Sequence, residues 1–296
     1  MSLPQRIAIT GASGLIGAAL VGHLKSEGHT VQRFVRRAVV APDEIQWDPK
    51  TGFVDLDALR GVDAVIHLAG AGVGDKRWSK RYRSEILNSR LLGTTAISNA
   101  VNEVKPQVFI SASAIGWYGE SGSRAVVETD RVGEDFLAAV CREWEAAADL
   151  VKNVRTVKIR TGLILDPTGG ALGRMLPLFR LGLGGKLGNG KQFWSWITLH
   201  DHIRAIEFLL GHPISGPVNL TSPNPVTNQE FTSALARAMH RPALFPALAF
   251  ALKLALGGFS SEILGSKKVL PHVLSEAGFT WDYPHITNAL TALVSE

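Results

Sequence analysis

A short apolar strand that leads into a glycine-rich turn constrains the fold of this chain more than any other feature. Residues 6–10 form the strand, and Gly11, Gly14 and Gly17 follow at regular spacing before an apolar helical repeat that ends at Gly28. Glycines in this arrangement permit a tight turn, close packing of the helix on the strand and close approach of a phosphate to the helix N-terminus. The pattern predicts the first strand–helix unit of a dinucleotide-binding domain.

Strand-like and helical segments alternate through the first half of the chain. Further predicted strands cover residues 30–35, 63–68, 108–111 and 154–159, and predicted helices cover 15–24, 79–100 and 134–150. This alternation predicts an α/β fold, a Rossmann doubly wound parallel sheet, whose ligands bind outside the carboxyl ends of the strands. We expect this domain to span residues 1–240, with 166–200 contributing to a substrate cleft, and 241–296 to form a smaller C-terminal α-rich lobe.

Composition is that of an ordinary globular protein. Of the 296 residues 46% are hydrophobic and 19% are charged, with a formal net charge of +5, which argues against intrinsic disorder. The chain does not begin with a signal-peptide pattern, and its longest apolar run, residues 244–256, contains Pro246 and Lys253 and is too short to span a bilayer. Cys141 is the only cysteine, so no internal disulfide can form. We expect a cytoplasmic protein, a monomer or homodimer, with no membrane partner.

Basic residues cluster at 33–37 and at 76–83. We interpret the first cluster as a pocket for an anionic small molecule and the second as a solvated helix, and we expect no nucleic-acid partner. No cysteine–histidine cluster has metal-ligand spacing, so we expect no metal site. His67 lies inside an apolar strand and is interpreted as a core residue, and Asp201 is predicted to cap a helix over 203–210.

The end of the second strand indicates which cofactor binds. NAD-binding proteins of this type carry an acidic residue there that binds the ribose hydroxyls. Residues 31–37 contain no Asp or Glu and end in Arg36 and Arg37, whose guanidinium groups match a 2′-phosphate. The alternative is that both arginines are a solvated strand end. We predict that NADP(H) binds in preference to NAD(H).

Several longer sequence motifs are similar to those of a known protein family. They are Thr10–Gly17, His67–Gly70, Asp75–Trp78, Ser111–Gly119, Trp144–Ala147, Arg160–Gly162, Gln192–Ile197 and Pro223–Asn228. With them the chain resembles the extended or atypical short-chain dehydrogenase/reductases, in particular the sugar-nucleotide-epimerase-like (YfcH-like) subfamily of the NAD-dependent epimerase/dehydratase family. The resemblance covers almost the whole chain, and the tail from Arg241 to Phe279 is similar to that subfamily's C-terminal domain of unknown function.

The resemblance implies a set of cofactor-binding residues. The glycine turn should line the pyrophosphate, the two arginines the adenosine phosphate, and the segments after the third and fourth predicted strands the ribose and nicotinamide. The whole set is Gly11, Ser13, Gly14, Leu15, Ile16, Gly17, Arg36, Arg37, Leu68, Ala69, Gly70, Glu85, Arg90, Ser111, Ala112 and Arg160. For Glu85 and Arg90 the alternative is a surface ion pair.

The catalytic residues of the resembled proteins are only partly present. Short-chain dehydrogenases use a Ser or Thr hydroxyl with a Tyr-x-x-x-Lys pair, in which the Tyr exchanges the proton. Ser113 supplies the hydroxyl here, but we assign the Tyr and Lys positions to Phe136 and Val140. Tyr118 is the nearest substitute donor, with packing beside Trp117 as the alternative. We predict Ser113 and Tyr118 as the catalytic residues.

The residues expected to bind the substrate also depart from the family pattern. Members that act on nucleotide sugars carry an arginine for the diphosphate where this chain has Trp194, which argues against a nucleotide sugar. Trp194 and Trp196 suggest a flat or apolar substrate, with core packing as the alternative. The leading hypothesis is an NADP(H)-dependent oxidoreductase that acts on a small molecule. The alternatives are a cofactor-binding, cell-division-associated regulator without turnover, and an epimerase or dehydratase.

Overall fold

The structure is a computed structural model that describes residues 4–295. Its strands are β1 (Arg6–Thr10), β2 (Thr30–Val35), β3 (Glu44–Asp48), β4 (Phe53–Val54), β5 (Ala64–His67), β6 (Val108–Ala114), β7 (Ala125–Val126), β8 (Arg155–Thr161), β9 (Leu163–Asp166), β10 (Phe193–Trp194), β11 (Trp196–Thr198), β12 (Gly216–Leu220), β13 (Val226–Thr227) and β14 (Lys268–Val269).

The helices follow the same order along the chain. They are α1 (Leu15–Ser26), α2 (Leu56–Leu59), α3 (Lys80–Val104), α4 (Phe136–Ala148), α5 (Gly170–Arg180), α6 (Leu199–Gly211), α7 (Asn228–Ala238), α8 (Ala249–Leu256), α9 (Ser260–Leu264), α10 (His272–Glu276) and α11 (Ile286–Ser295), with 3₁₀ turns at Ile115–Tyr118 and Gly257–Phe259.

The main sheet has the strand order β12-β8-β6-β5-β1-β2-β3-β4. Every neighbouring pair in it is parallel except β3 and β4, which are antiparallel. The chain leaves β1 toward β2 and returns on the other side of β1 through β5, so the direction of winding reverses between β1 and β5. This confirms the predicted doubly wound fold and places its ligand crevice at the carboxyl ends of these two strands.

Helices cover both faces of the sheet because its strands are apolar on both sides. Side chains alternate across a strand, so Ile7 and Ile9 of β1 pack with Leu20 of α1 on one face. Ala8 belongs to the cluster on the opposite face, which includes Ile97 of α3. Near-continuous apolar strands of this kind are typical of parallel sheets buried by crossover helices.

A second core lies beyond the sheet. It joins α5, α7 and α11 around side chains such as Phe179, Phe231 and Leu290. β14 pairs with β7, and α11 packs on α7. The predicted boundary at residue 240 remains a prediction, and the elements after it interleave with those before it.

The start of α6 corrects one expectation. The Thr198 hydroxyl caps the helix by accepting from the Asp201 amide at 3.0 Å, so the prediction that Asp201 is the cap is wrong. Asp201 is instead fully buried in the first turn, where its carboxylate accepts from the amides of Asp282 and Tyr283. Within residues 4–295, no helix combines the length and the apolar character that crossing a bilayer requires.

Candidate functional site

The turn between β1 and α1 tolerates only glycine at its two ends. Gly11 has φ +69°, and a Cβ on it would lie 2.9 Å from the backbone carbon of Leu68. A Cβ on Gly17 would lie 2.1 Å from the Gly11 carbonyl oxygen. The glycines therefore let β1, α1 and the end of β5 approach one another closely, as the sequence pattern requires.

The N-terminus of α1 is open to a ligand. Gly14 is the N-cap residue, and no side chain of the described residues caps this helix. Ser13 and Gly14 are exposed, so the first amides of α1 face outward at the positive end of the helix dipole. Leu15 contacts the start of α5, since a Cβ on Gly169 would lie 3.2 Å from its side chain. An anion such as a pyrophosphate fits this position.

The structure distinguishes the two arginines after β2. Arg37 donates twice to Glu44, at 2.6 and 2.9 Å, and this guanidinium, together with the Val40 amide, lowers the pKa of the Glu44 carboxyl to about 2. Arg33 is held in the same way by Asp43. Arg36 is exposed and makes no ion pair with any of residues 4–295. Of the two predicted phosphate ligands, only Arg36 has a guanidinium that is not already engaged.

Arg90 is fixed beneath the loop that follows β5. Its Nη1 donates to the carbonyls of Ala71 and Ile86, and its guanidinium lies 4.8 Å from the centre of the Trp144 ring. Burial lowers the pKa of this guanidinium. Glu85 forms a surface ion pair with Lys76 at 3.7 Å, the alternative that the sequence left open for it.

The end of β5 is tied to the glycine turn. The amides of Leu68 and Ala69 donate to the Thr10 hydroxyl at 3.0 and 3.2 Å. Gly70 lies against the Arg90 side chain, because a Cβ there would be 3.4 Å from it. The segment predicted to line the ribose is thus held beside the predicted pyrophosphate site.

A cavity of about 580 Å³ opens at the carboxyl ends of β6 and β8. Its wall is mainly apolar and includes Ile115, Leu163, Met175, Phe193, Trp194 and Phe259. Gly170, at the start of α5, lines the cavity and also lies against Leu15 of the glycine turn. The cavity therefore adjoins the predicted cofactor site.

The wall formed by α4 includes one of the two positions assigned to the missing Tyr–Lys pair. Leu137 and Cys141, one helical turn apart, face the cavity, whereas Phe136 packs edge-on against Trp78 at 5.2 Å. Val140, the assigned Lys position, lines the wall, whereas Phe136, the assigned Tyr position, does not. Burial raises the pKa of the Cys141 thiol to about 12, so the thiol stays protonated.

A buried hydrogen-bond network lies behind the cavity wall and includes Ser113, Tyr118 and Arg160. The Ser113 hydroxyl donates to Glu145 at 2.7 Å, and Arg160 donates to both oxygens of the same carboxylate at 2.8 and 3.0 Å. The Tyr118 hydroxyl accepts from Arg160 at 3.0 Å and donates to Asn219 at 2.7 Å. Burial raises the pKa of Tyr118 to about 12. Catalytic roles for Ser113 and Tyr118 remain predictions, and their burial counts against direct contact with a ligand.

Of the remaining predicted site residues, some line the cavity and others lie in the protein interior. Trp194 lines the cavity and packs on Phe231, with ring centres 5.2 Å apart. Trp196 is fully buried and donates its indole N–H to the Asn224 carbonyl, which is the core role that the sequence left open. Ser111 is buried in β6, and Ala112 next to it is half-buried.

The cavity contains polar groups that sequence reasoning missed. Lys267 and Glu262 form an ion pair at 2.9 Å, and both line the wall. The Lys267 backbone is fixed, because its amide donates to the Phe193 carbonyl at 3.0 Å and its carbonyl accepts from the Ser195 hydroxyl at 2.8 Å. No motif surrounds Lys267, and only its position in the fold brings it to the site.

Two further polar side chains complete the wall. Arg174 of α5 donates to the Gly74 carbonyl at 2.8 Å and lies 3.4 Å from the Asp75 carboxylate. The Thr161 hydroxyl lies 3.0 Å from Nε2 of His202, and burial lowers the pKa of this imidazole to about 3. His202 is therefore neutral, and Thr161 is the cavity hydroxyl at the end of β8.

One cluster of potential metal ligands lies outside the cavity. Ligand atoms of His200, Asp201 and Asp282 come together within 4.8 Å. Arg204 pairs with both carboxylates, at 3.0 and 3.1 Å. A guanidinium in this position supplies the positive charge that a metal ion would otherwise provide.

Comparison with known proteins agrees with the family resemblance of the sequence motifs over nearly all of the chain. The model of the NAD dependent epimerase/dehydratase family matches residues 7–139, and that of a domain of unknown function, DUF1731, matches residues 249–293. An epimerase family protein of Mycobacterium leprae is 43% identical over 96% of this chain and 94% of its own length. A chloroplastic SDR39U1 homolog of Arabidopsis thaliana, also an epimerase family protein, is 35% identical over 97% of this chain and 86% of its own.

A solved structure supports this likeness. The human epimerase family protein SDR39U1 (isoform 2), crystallised with NADPH, superimposes with a TM-score of 0.91 and 30% identity. The alignment covers 98% of this chain and 99% of that one. Both the main sheet and the C-terminal elements thus have counterparts in one relative.

Proposed function

This chain belongs to the NAD-dependent epimerase/dehydratase family, and from that premise we propose that it is an NADP(H)-dependent oxidoreductase acting on a small, largely apolar substrate that is not a nucleotide sugar. One observation carries the proposal: a mainly apolar cavity adjoins the glycine turn at the carboxyl ends of β6 and β8. Cofactor and substrate sites of doubly wound folds meet at this edge.

The residues of the glycine turn fit a nicotinamide dinucleotide. Gly11 and Gly17 leave room that a Cβ would fill, and the open amides of α1 suit a pyrophosphate. Arg36 offers an exposed guanidinium for a 2′-phosphate, and the human relative was crystallised with NADPH. NADPH bound here would supply a hydride. Arg90 and Thr10 would hold the loop after β5 against the cofactor.

The substrate class follows from the cavity wall. Each cation there already has a protein partner: Arg90 a pair of carbonyls, Arg174 a carbonyl and Asp75, Lys267 the Glu262 carboxylate. A diphosphate would have to displace these partners, whereas an uncharged carbonyl compound or enone would not. Trp194 offers a flat apolar surface beside them.

We assign the proton transfer to Lys267 in place of the missing Tyr–Lys pair. Lys267 lines the cavity, and its ammonium group lies 2.9 Å from Glu262. It would give a proton to the carbonyl oxygen as the hydride reaches the carbonyl carbon, and in the reverse direction the neutral amine would take that proton back. The Thr161 hydroxyl can hold the carbonyl oxygen through a hydrogen bond, with His202 behind it. Ser113 and Tyr118 act in this proposal through the buried network that positions β6 and β8. We expect the protein to work in the cytoplasm.

Titration calorimetry followed by a turnover screen tests the proposal. The full chain should bind NADPH more tightly than NADH, and NADPH oxidation should be found within a panel of apolar carbonyls and enones but not with nucleotide sugars. Turnover of a nucleotide sugar would overturn the substrate class. Tight NADPH binding without turnover of any panel member would favour the cofactor-binding regulator, which the apolar α4 wall at Leu137 and Cys141 also allows.

A further inference from the structure

Exposed apolar side chains are concentrated on one side of the molecule. Among residues 4–295, eight of the thirteen large apolar side chains that are most exposed lie in two short segments, and all eight are more than half exposed. They are Leu178, Leu181 and Leu183 at the end of α5 and Leu244, Phe245, Leu248, Phe250 and Leu254 on and before α8. We call residues 178–186 and 244–254 the basic apolar face.

The two segments form one continuous surface. The Phe245 amide donates to the Gly184 carbonyl at 3.2 Å, and the Ala247 amide donates to the Lys186 carbonyl at 2.9 Å. None of the side chains of α8 is buried, and Phe250 and Leu254 are largely exposed, so one side of this helix offers an uncovered apolar surface. Contiguous exposed apolar patches on a protein mark a contact surface for a partner or a membrane.

The charged residues within the two segments have a single sign. No Asp or Glu occurs from residue 167 to 200, where four Lys or Arg residues lie, or from 231 to 261, where three more lie. Lys253 is exposed on α8 among the apolar side chains, and Arg180 is exposed at the end of α5. An apolar surface whose own charged residues are all basic is complementary to a bilayer that carries anionic lipids.

We propose that the basic apolar face docks on the surface of an anionic bilayer, with its Leu and Phe side chains in the interfacial region and Arg180, Lys186 and Lys253 at the headgroups. At eight residues, α8 lies on the membrane rather than across it. The lack of a spanning segment led us to expect no membrane partner, but it does not bear on docking of this kind.

Two other occupants fit the surface less well. A symmetric contact between two copies of the chain would bring together two faces that have basic residues and no acid. An acidic protein would be expected to meet Tyr or Trp anchors, and the exposed apolar residues here are six Leu and two Phe. Of the three occupants, only an anionic bilayer is complementary both to the exposed apolar side chains and to the basic residues.

Docking would hold the cavity beside the membrane. Met175 of α5 and Leu256 of α8 line the cavity and belong to the helices that form the basic apolar face. An apolar substrate dissolved in the bilayer would then reach the cavity without crossing water. This consequence rests on the proposed function, whereas the docking itself does not.

Co-sedimentation of the full chain with lipid vesicles tests the docking. Vesicles of phosphatidylcholine with phosphatidylglycerol should bind the protein, pure phosphatidylcholine vesicles should bind it weakly, and binding should fall at high salt. Lys253→Glu should lower partitioning on the order of tenfold through lost charge attraction. Phe250→Ser should lower it on the order of tenfold through lost apolar burial.

Matched substitutions elsewhere keep this test specific. Phe53→Ser and Lys50→Glu change exposed residues at β4 and the turn before it, and they should leave vesicle binding unchanged. NADPH binding should be equal in all variants, which separates failure of docking from failure of the proposed function. Equal binding to both vesicle types, equal loss in the control variants or no vesicle binding would overturn the proposal. So would a lipid-free dimer that Phe250→Ser dissociates.

Discussion

The two halves of the candidate site are built in opposite ways. The proposed cofactor half consists largely of neighbouring residues, the glycine turn at 11–17 and the strand end with Arg36. The cavity half is assembled from distant segments, with Leu137 from α4, Trp194 from β10 and Lys267 from the C-terminal region. Function that depends on local backbone geometry is visible in a sequence, whereas function that depends on tertiary packing requires the fold.

The largest effect should come from the cavity half. Lys267→Gln keeps a hydrogen-bonding group near Glu262 but removes the proposed donor, and a positioned general acid contributes about 10²–10⁴-fold to turnover. We expect kcat with a substrate found by screening to fall by that order while calorimetry shows unchanged NADPH affinity. Lys268→Gln changes a half-buried neighbouring lysine and serves as the control. Unchanged kcat in Lys267→Gln would remove Lys267 from the mechanism.

The second-largest effect should come from a substitution in the cofactor half. In Gly17→Ala the new Cβ would lie 2.1 Å from the Gly11 carbonyl oxygen, so the turn has to move. We expect NADPH affinity to fall on the order of a hundredfold and stability by about 1–3 kcal/mol. Gly22→Ala on the same helix meets no atom within 4 Å and should stabilise the fold slightly. Equal NADPH affinity in both variants would contradict the assignment of the turn.

A smaller change tests the choice of nucleotide. Arg36→Ala removes one charge-assisted interaction of about 1.5–3 kcal/mol, so NADPH binding should weaken about ten- to a hundredfold while NADH binding changes little. Arg60→Ala, an exposed arginine at the end of α2, is the control. Calorimetric titration with both nucleotides measures the difference, and equal losses for NADPH and NADH would argue against a 2′-phosphate site.

The smallest expected effect is on the pH dependence of stability. It involves two buried histidines, one in each half of the site. Burial lowers the pKa of His67, beside Thr10, and of His202, behind Thr161, from 6.5 to about 3. The unfolded chain therefore binds more protons than the folded one between these values, and stability falls as the pH drops below 6.5. From about pH 7 to about pH 5 each histidine should cost about 2 kcal/mol of unfolding free energy.

Urea unfolding of two variants separates these contributions. His67→Gln and His202→Gln should each remove one share of the pH dependence. An acid sensitivity that persists undiminished in both variants would show that it arises from groups other than these imidazoles.

Much of the fold was predictable because it follows local rules. The helix predicted over 79–100 is α3, with Ser79 as its N-cap, and the glycine turn opens α1 as expected. The start of α6 was misplaced because Thr198 and Asp201 are both good capping residues. Only the tertiary contacts of Asp201 with residues 282–283 decide between them.

The site was predictable only in part, for a related reason. Arg36 and Arg37 are equivalent in the sequence, and a glutamate seven residues after Arg37 engages one of them. Tyr118 follows the right strand, yet its hydroxyl turns into the interior toward Arg160 and Asn219. Lys267 carries no signal of its own, because its approach to the cavity depends on a strand pairing that spans half the chain.

That pairing of β14 with β7 has a consequence for how the protein is made. The Lys268 amide donates to the Ser121 hydroxyl across 147 positions of the chain, so β7 leaves the ribosome long before its partner exists. At ordinary rates of synthesis the delay is roughly seven to thirty seconds. During that interval the glycine turn and its sheet can form while the cavity lacks its last wall. A nucleotide bound early would stabilise this open intermediate by mass action, and the cavity half would close around a cofactor already in place.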